Sequence, residues 1–109
     1  MRSEDRDRVQ HMIDAAGSLA DFIKGRQRAD LDGDRMLLFA VLRAIEVFGE
    51  AAGRVSQGTR ATSPAIPWDA IVGMRNRLIH GYFDVDIRIV WKTIAEEIPA
   101  LPPALRLLV

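Results

Sequence analysis

Between Leu37 and Val55 the apolar residues Leu37, Leu38, Val41, Leu42, Ile45, Phe48, Ala52 and Val55 return at three- and four-residue steps. That is the period of an α-helix seated on a core by one face. The segment from Asp5 to Lys24 has the same period in Val9, Met12, Ile13, Ala16, Ala20 and Ile23. No strand-length alternation, internal repeat or low-complexity run is visible anywhere in the chain. The pattern therefore admits helix packed on helix and little else.

Turn-forming residues divide the helices. Residues 25–33 hold Asp30, Asp32 and Gly33 and read as a connection, and residues 56–67, with Gly58, Pro64 and Pro67, read as unable to propagate a helix. Pro67 suits the first position of a third helix running toward His80. Asp84 or Asp86 can cap a fourth helix carrying Ile87, Val90, Trp91, Ile94 and Ile98, stopped by Pro99. The apolar tail LPPALRLLV is expected to pack back onto the bundle. The expected fold is all-α: one domain over residues 1–109, a four-helix up-and-down bundle with a short C-terminal helical turn. The sequence Gly49-Glu50-Ala51-Ala52-Gly53 places two glycines four apart, a row suited to close helix packing in water and to a homodimer.

At 109 residues the chain can bury one core, so a site must be small or shared between subunits. Formal net charge is zero, which excludes the broad basic footprint of a sequence-independent nucleic-acid binder, so any phosphate recognition is local. Thirteen of the 15 cations are arginines, whose planar fork suits bidentate phosphate contacts. There is no cysteine, which rules out disulfides, thiolate chemistry and zinc through cysteine. The opening MRSEDRDRVQ lacks the apolar centre of a signal peptide, and no apolar run approaches the ~20 residues needed to span a bilayer. A soluble cytoplasmic protein is expected.

Chemistry concentrates in GMRNRLIHGYF, residues 73–83, where one of two histidines and the only tyrosine follow an Arg-Asn-Arg cluster. On a helix Asn76 and His80 share one row, with Arg75, Ile79 and Tyr82 on the adjacent row, while Arg77 points away as an ordinary solvated cation. Histidine can take a proton from a ribose 2′-hydroxyl or give one to a leaving 5′-oxygen. Arginine can bind the phosphate and stabilise charge on its oxygens. RNA then supplies its own nucleophile, and neither metal nor cofactor is required. Spacing alone is weak support, since 13 arginines in 109 residues put one at a given offset from a histidine about one time in eight. Arg6 and His11 repeat the spacing and read as an exposed face of the first helix. From spacing alone, a helix C-terminal cap is the better reading of His80 than a catalyst. Glu46 and Glu50 read as solvated charges, Trp68 and Trp91 as packing anchors, and Asp84 and Asp86 as caps rather than metal ligands.

The run IPWDAIVGMRNRLIHGYFDVD, followed by Val90-Trp91, resembles the HepT-like branch of the HEPN superfamily, whose motif is R-x-x-x-x-H-x-Y. Here the motif is Arg75, His80 and Tyr82, with Asn76 in the common RN variant; AIEVFGEAAGRVS extends the likeness, which covers Leu37 to Trp91. The resemblance implies an all-α bundle whose homodimer faces two motifs across a shared cleft. It also implies a metal-independent ribonuclease acting as the toxin of a toxin–antitoxin pair, with RNA as substrate. The implied partner is a MntA-type minimal nucleotidyltransferase that silences the toxin by attaching AMP to Tyr82. Two other readings are a non-catalytic HEPN module that docks a nucleotidyltransferase or a nucleotide, and a purely structural helical dimer. The intact motif favours the ribonuclease, because a module that cleaves nothing has no chemical need of the histidine.

Overall fold

The computed structural model describes residues 1–80 and 85–109, with Ile79 and His80 described by their backbone alone. The described residues form α1 (Ser3–Ile23), α2 (Arg28–Gly33), α3 (Arg35–Arg54), α4 (Gln57–Ala61), α5 (Trp68–His80), α6 (Ile87–Lys92) and α7 (Pro102–Arg106). A π turn, Thr93–Glu97, and a 3-10 turn, Ile98–Ala100, continue α6 without a break. The expected all-α bundle is what forms. Helices α1, α3, α5 and the run from α6 to residue 100 are its four members, and α7 folds back onto α1 with Leu105 fully buried.

The periodic residues make the core. Val9, Met12, Ala16 and Leu19 of α1 lie against Val41, Leu42, Ile45, Phe48 and Ala52 of α3, each at most 6% exposed. Gly25, at φ +73°, supplies the left-handed residue that ends the first helix and turns the chain. Asp34 caps α3, its carboxylate accepting from the Leu37 amide at 3.1 Å; that bond, together with nearby Arg26, holds the carboxyl below its ordinary range.

Three local expectations are corrected. Residues 25–33 hold a helix, α2, because the Asp30 carboxylate accepts from the Gln27 amide at 2.7 Å and Leu31 is buried as an anchor. Residues 56–67 also hold one, α4, capped by the Ser56 hydroxyl, which accepts from the Thr59 amide at 3.4 Å, and tied from outside to Asp5. That buried carboxylate accepts from the Ser56 amide at 2.9 Å, the Ser56 hydroxyl at 2.6 Å and the Thr59 hydroxyl at 2.7 Å. Those bonds, the Ser56 hydroxyl first, push the Asp5 carboxyl down to about 2. Finally, Pro99 does not stop the fourth helix. It has no N–H for the carbonyl four residues back, and the π turn followed by a 3-10 turn shifts the hydrogen-bond register so that the chain stays helical through it.

Arg60 joins α3 to α5. Its guanidinium donates to the carbonyls of Ala52 at 3.1 Å, Gly53 at 3.0 Å and Val55 at 3.0 Å, closing the C-terminal end of α3. The same guanidinium lies 6.0 Å from the ring centre of Trp68, the first residue of α5. Trp68 is buried as expected and donates from Nε1 to the Ser63 carbonyl at 3.1 Å.

Candidate functional site

Helix α5 begins immediately after Pro67 and buries Leu78, with Ile71 and Met74 packed on the core. Arg75 leaves the helix toward α3 and is half-buried, while Asn76 and Arg77 are exposed. What makes room for Arg75 is the absence of a side chain at Gly49. A methyl group there would overlap Arg75 Cβ, would lie 2.9 Å from Arg75 Cγ and would press on the Ile71 carbonyl oxygen at 3.3 Å. One turn later, a methyl group on Gly53 would sit 3.7 Å from Val72 Cγ2, an ordinary contact. The two-glycine row therefore serves close helix packing, as expected, but its partner is α5 of the same chain. It gives no support to a homodimer.

Packed by its base, Arg75 extends its guanidinium outward, where Nη1 donates to Asn76 Oδ1 at 2.7 Å. No described carboxylate forms an ion pair with it. Four other arginines pair with carboxylates: Arg43 with Glu46 at 3.3 Å, Arg54 with Glu50 at 3.1 Å, Arg26 with Asp34 at 3.3 Å and Arg88 with Asp86 at 3.3 Å. The two glutamates expected to be solvated charges thus neutralise arginines on α3. Among the described residues only Asn76 accepts from the Arg75 side chain, whose planar fork is of the geometry that matches a phosphate.

His80 is the last residue of α5, so the backbone carries it one turn beyond Asn76 on an unbroken helix. Tyr82, with Gly81, Phe83 and Asp84, lies outside the described residues. Asp86 caps α6 by accepting from the Arg88 amide at 2.9 Å; the Arg88 side chain and that amide hold its carboxyl below the ordinary range. Of the sequence-derived set, then, Arg75 and Asn76 are brought into direct contact and His80 shares their helix. The spacing copy at Arg6 and His11 is exposed on α1, as expected of a solvated face. Among the described residues, no group of three or more histidine, aspartate or glutamate side chains is arranged to hold a metal ion. No described helix is long and apolar enough to cross a membrane.

Sequence comparison assigns this geometry to a class. Residues 12–108 match the family described as "Ribonuclease HepT-like". The chain is 36% identical to "Probable ribonuclease HepT" of Thermococcus cleftensis, across 93% of this chain and 92% of that one. It is 38% identical to a "Putative RNase" of Caldanaerobacter subterraneus subsp. tengcongensis, covering 85% and 83% of the two chains. It is 33% identical to another of the same description from Methanocaldococcus jannaschii, covering 83% of each. No solved structure matches. The all-helical fold is consistent with a HEPN-type bundle, and the chain belongs to the HepT-like ribonuclease family of that superfamily.

Gly49 is the residue whose importance at the site the sequence did not disclose. The signal was present in the small-x-x-x-small row, but the row alone cannot say which helix it receives.

Proposed function

We propose that the chain is a metal-independent endoribonuclease that cleaves RNA through the ribose 2′-hydroxyl and acts as a cytoplasmic toxin. The observation that carries this reading is the Arg75 guanidinium, anchored at its base by α3, oriented by Asn76 at 2.7 Å and unpaired with any described carboxylate. In the reaction the 2′-oxygen attacks phosphorus, and its proton passes to a base. The bond to the 5′-oxygen breaks, and that oxygen takes a proton as it leaves. The products are a 2′,3′-cyclic phosphate and a 5′-hydroxyl. Arg75 binds the non-bridging oxygens and stabilises the charge that grows on them, and His80 performs one of the two proton transfers.

A two-fold homodimer would place two copies of Arg75 and His80 in one cleft, offsetting the lack of a basic exterior in a chain of zero formal charge. Control would come from a MntA-type minimal nucleotidyltransferase that attaches AMP to the Tyr82 hydroxyl. The added phosphodiester would occupy the Arg75 fork and repel RNA phosphates.

The deciding experiment uses a short RNA and the same strand with 2′-deoxyribose at the scissile position, in excess EDTA. Cleavage of the first to cyclic or 3′-phosphate ends and none of the second is expected. Cleavage of the deoxy strand, or loss of activity with chelator, refutes the mechanism. Light scattering across micromolar concentrations tests the dimer, and an active strict monomer rules out a shared cleft.

A further inference from the structure

We infer that Gly49 of α3 is a positioning residue for Arg75, fixing where the guanidinium emerges by offering its base a bare stretch of backbone. The inference rests on the ribonuclease reading only for its catalytic consequence. The geometry is local and one-sided. A single methyl group at residue 49 meets Arg75 at both Cβ and Cγ, and the Ile71 carbonyl closes the remaining side, so neither helix can yield by a rotamer change alone. Cβ is fixed by the backbone, so relief requires α5 to move away from α3, and Arg75 moves with it. Among the described residues the arginine is held on its other side by one hydrogen bond, to Asn76, which sits on the same helix and would travel with it. Nothing else described would return the guanidinium to its place.

Gly53 makes the comparison sharp. It lies on the same helix, one turn on, and faces the same partner, yet a methyl group there meets only Val72 Cγ2 at 3.7 Å. Both are glycines of α3 that face α5, Gly49 buried within the helix and Gly53 exposed near its end, and they differ in what stands opposite.

The test takes the full chain labelled with ¹⁵N-arginine, with the Arg75 Nε–Hε resonance assigned by its loss in Arg75→Lys, alongside steady-state cleavage of a single-stranded RNA. Gly49→Ala is expected to move that resonance and lower kcat by ~10–10²-fold with KM changed by no more than about threefold, as misplacement of a charge-stabilising group by about 1 Å does. Gly53→Ala is expected to leave the resonance and kcat as they are. An unshifted resonance in folded Gly49→Ala, or a shifted one with unchanged kcat, overturns the inference. If the wild-type chain cleaves no RNA, the ribonuclease reading fails while the resonance still decides the positioning. Should Gly49→Ala not fold, Gly49→Ala combined with Arg75→Gly is expected to recover the helical circular-dichroism signal, because the obstructing side chain is gone. A double variant that stays unfolded shows that the obstacle is the α5 backbone, and the inference is then wrong.

Discussion

The Asp5 carboxylate, in the first turn of α1, accepts the Thr59 hydroxyl at 2.7 Å across 54 residues of chain. With Ser56 it ties the start of the first helix to the cap of α4, so α4 is held twice before α5 begins, to α1 through Asp5 and to the end of α3 through Arg60.

Acid should release this tie. The folded carboxyl is down at about 2, below the ~3.9 of a free aspartate, so its contribution is fully present above about pH 4 and is lost as pH falls through 2. Asp5→Asn should therefore lower the melting temperature at neutral pH, and the gap from wild type should narrow as pH falls from 4 to 2. Melting curves followed by circular dichroism at several pH values check it; a gap that stays constant to pH 2 would contradict it.

Arg60→Ala removes three donors from the end of α3 and the cation facing Trp68. A loss of about 1–3 kcal/mol is expected from urea midpoints, since bonds from a charged donor contribute about 1.5–3 kcal/mol each and water replaces part of them. Because Arg60 stands apart from the proposed chemistry, cleavage by the folded fraction should match wild type.

Arg75→Ala and His80→Ala are each expected to abolish growth inhibition when expressed in a bacterial host, with the helical circular-dichroism signal retained. Removing one proton-transfer group typically costs ~10²–10⁴ in rate. Toxicity equal to wild type from a soluble His80→Ala chain would end the catalytic reading and favour a module that only docks its partner.

Tyr82→Phe keeps the ring and removes the acceptor oxygen. Coexpressed with the partner nucleotidyltransferase, the wild-type chain should gain mass in steps of one AMP on the peptide containing Tyr82, and the Phe variant should gain none and escape rescue. Modification elsewhere, or rescue of a toxic Phe variant without modification, would mean that the partner silences by binding alone.

Much of the helical order was legible: α1 and α3 follow from their apolar period, α5 from Pro67 at its start, and Asp86 was one of two candidate caps before Ile87. Helix α4 was not, because its five residues include Gly58 and Thr59, poor helix formers, and its tie to Asp5 comes from 51 and 54 residues away. The π turn was equally hidden, since Thr93 commits its hydroxyl to the Ile89 carbonyl at 2.9 Å and Pro99 is accommodated by a register shift that no periodicity encodes. At the site, adjacency made the Arg75–Asn76 pair readable. The Gly49 contact depends on which helix packs against which, and that is settled only by the folded chain.

The seat beneath Arg75 has an implication for reading sequences. The motif letters of a HepT-like chain are its arginine, histidine and tyrosine, yet here the arginine's place is set by a residue that contributes no atoms beyond backbone. A gene could keep every letter of the motif and fall silent through one added carbon, 26 positions upstream, and a survey that scores the motif alone would count it as intact.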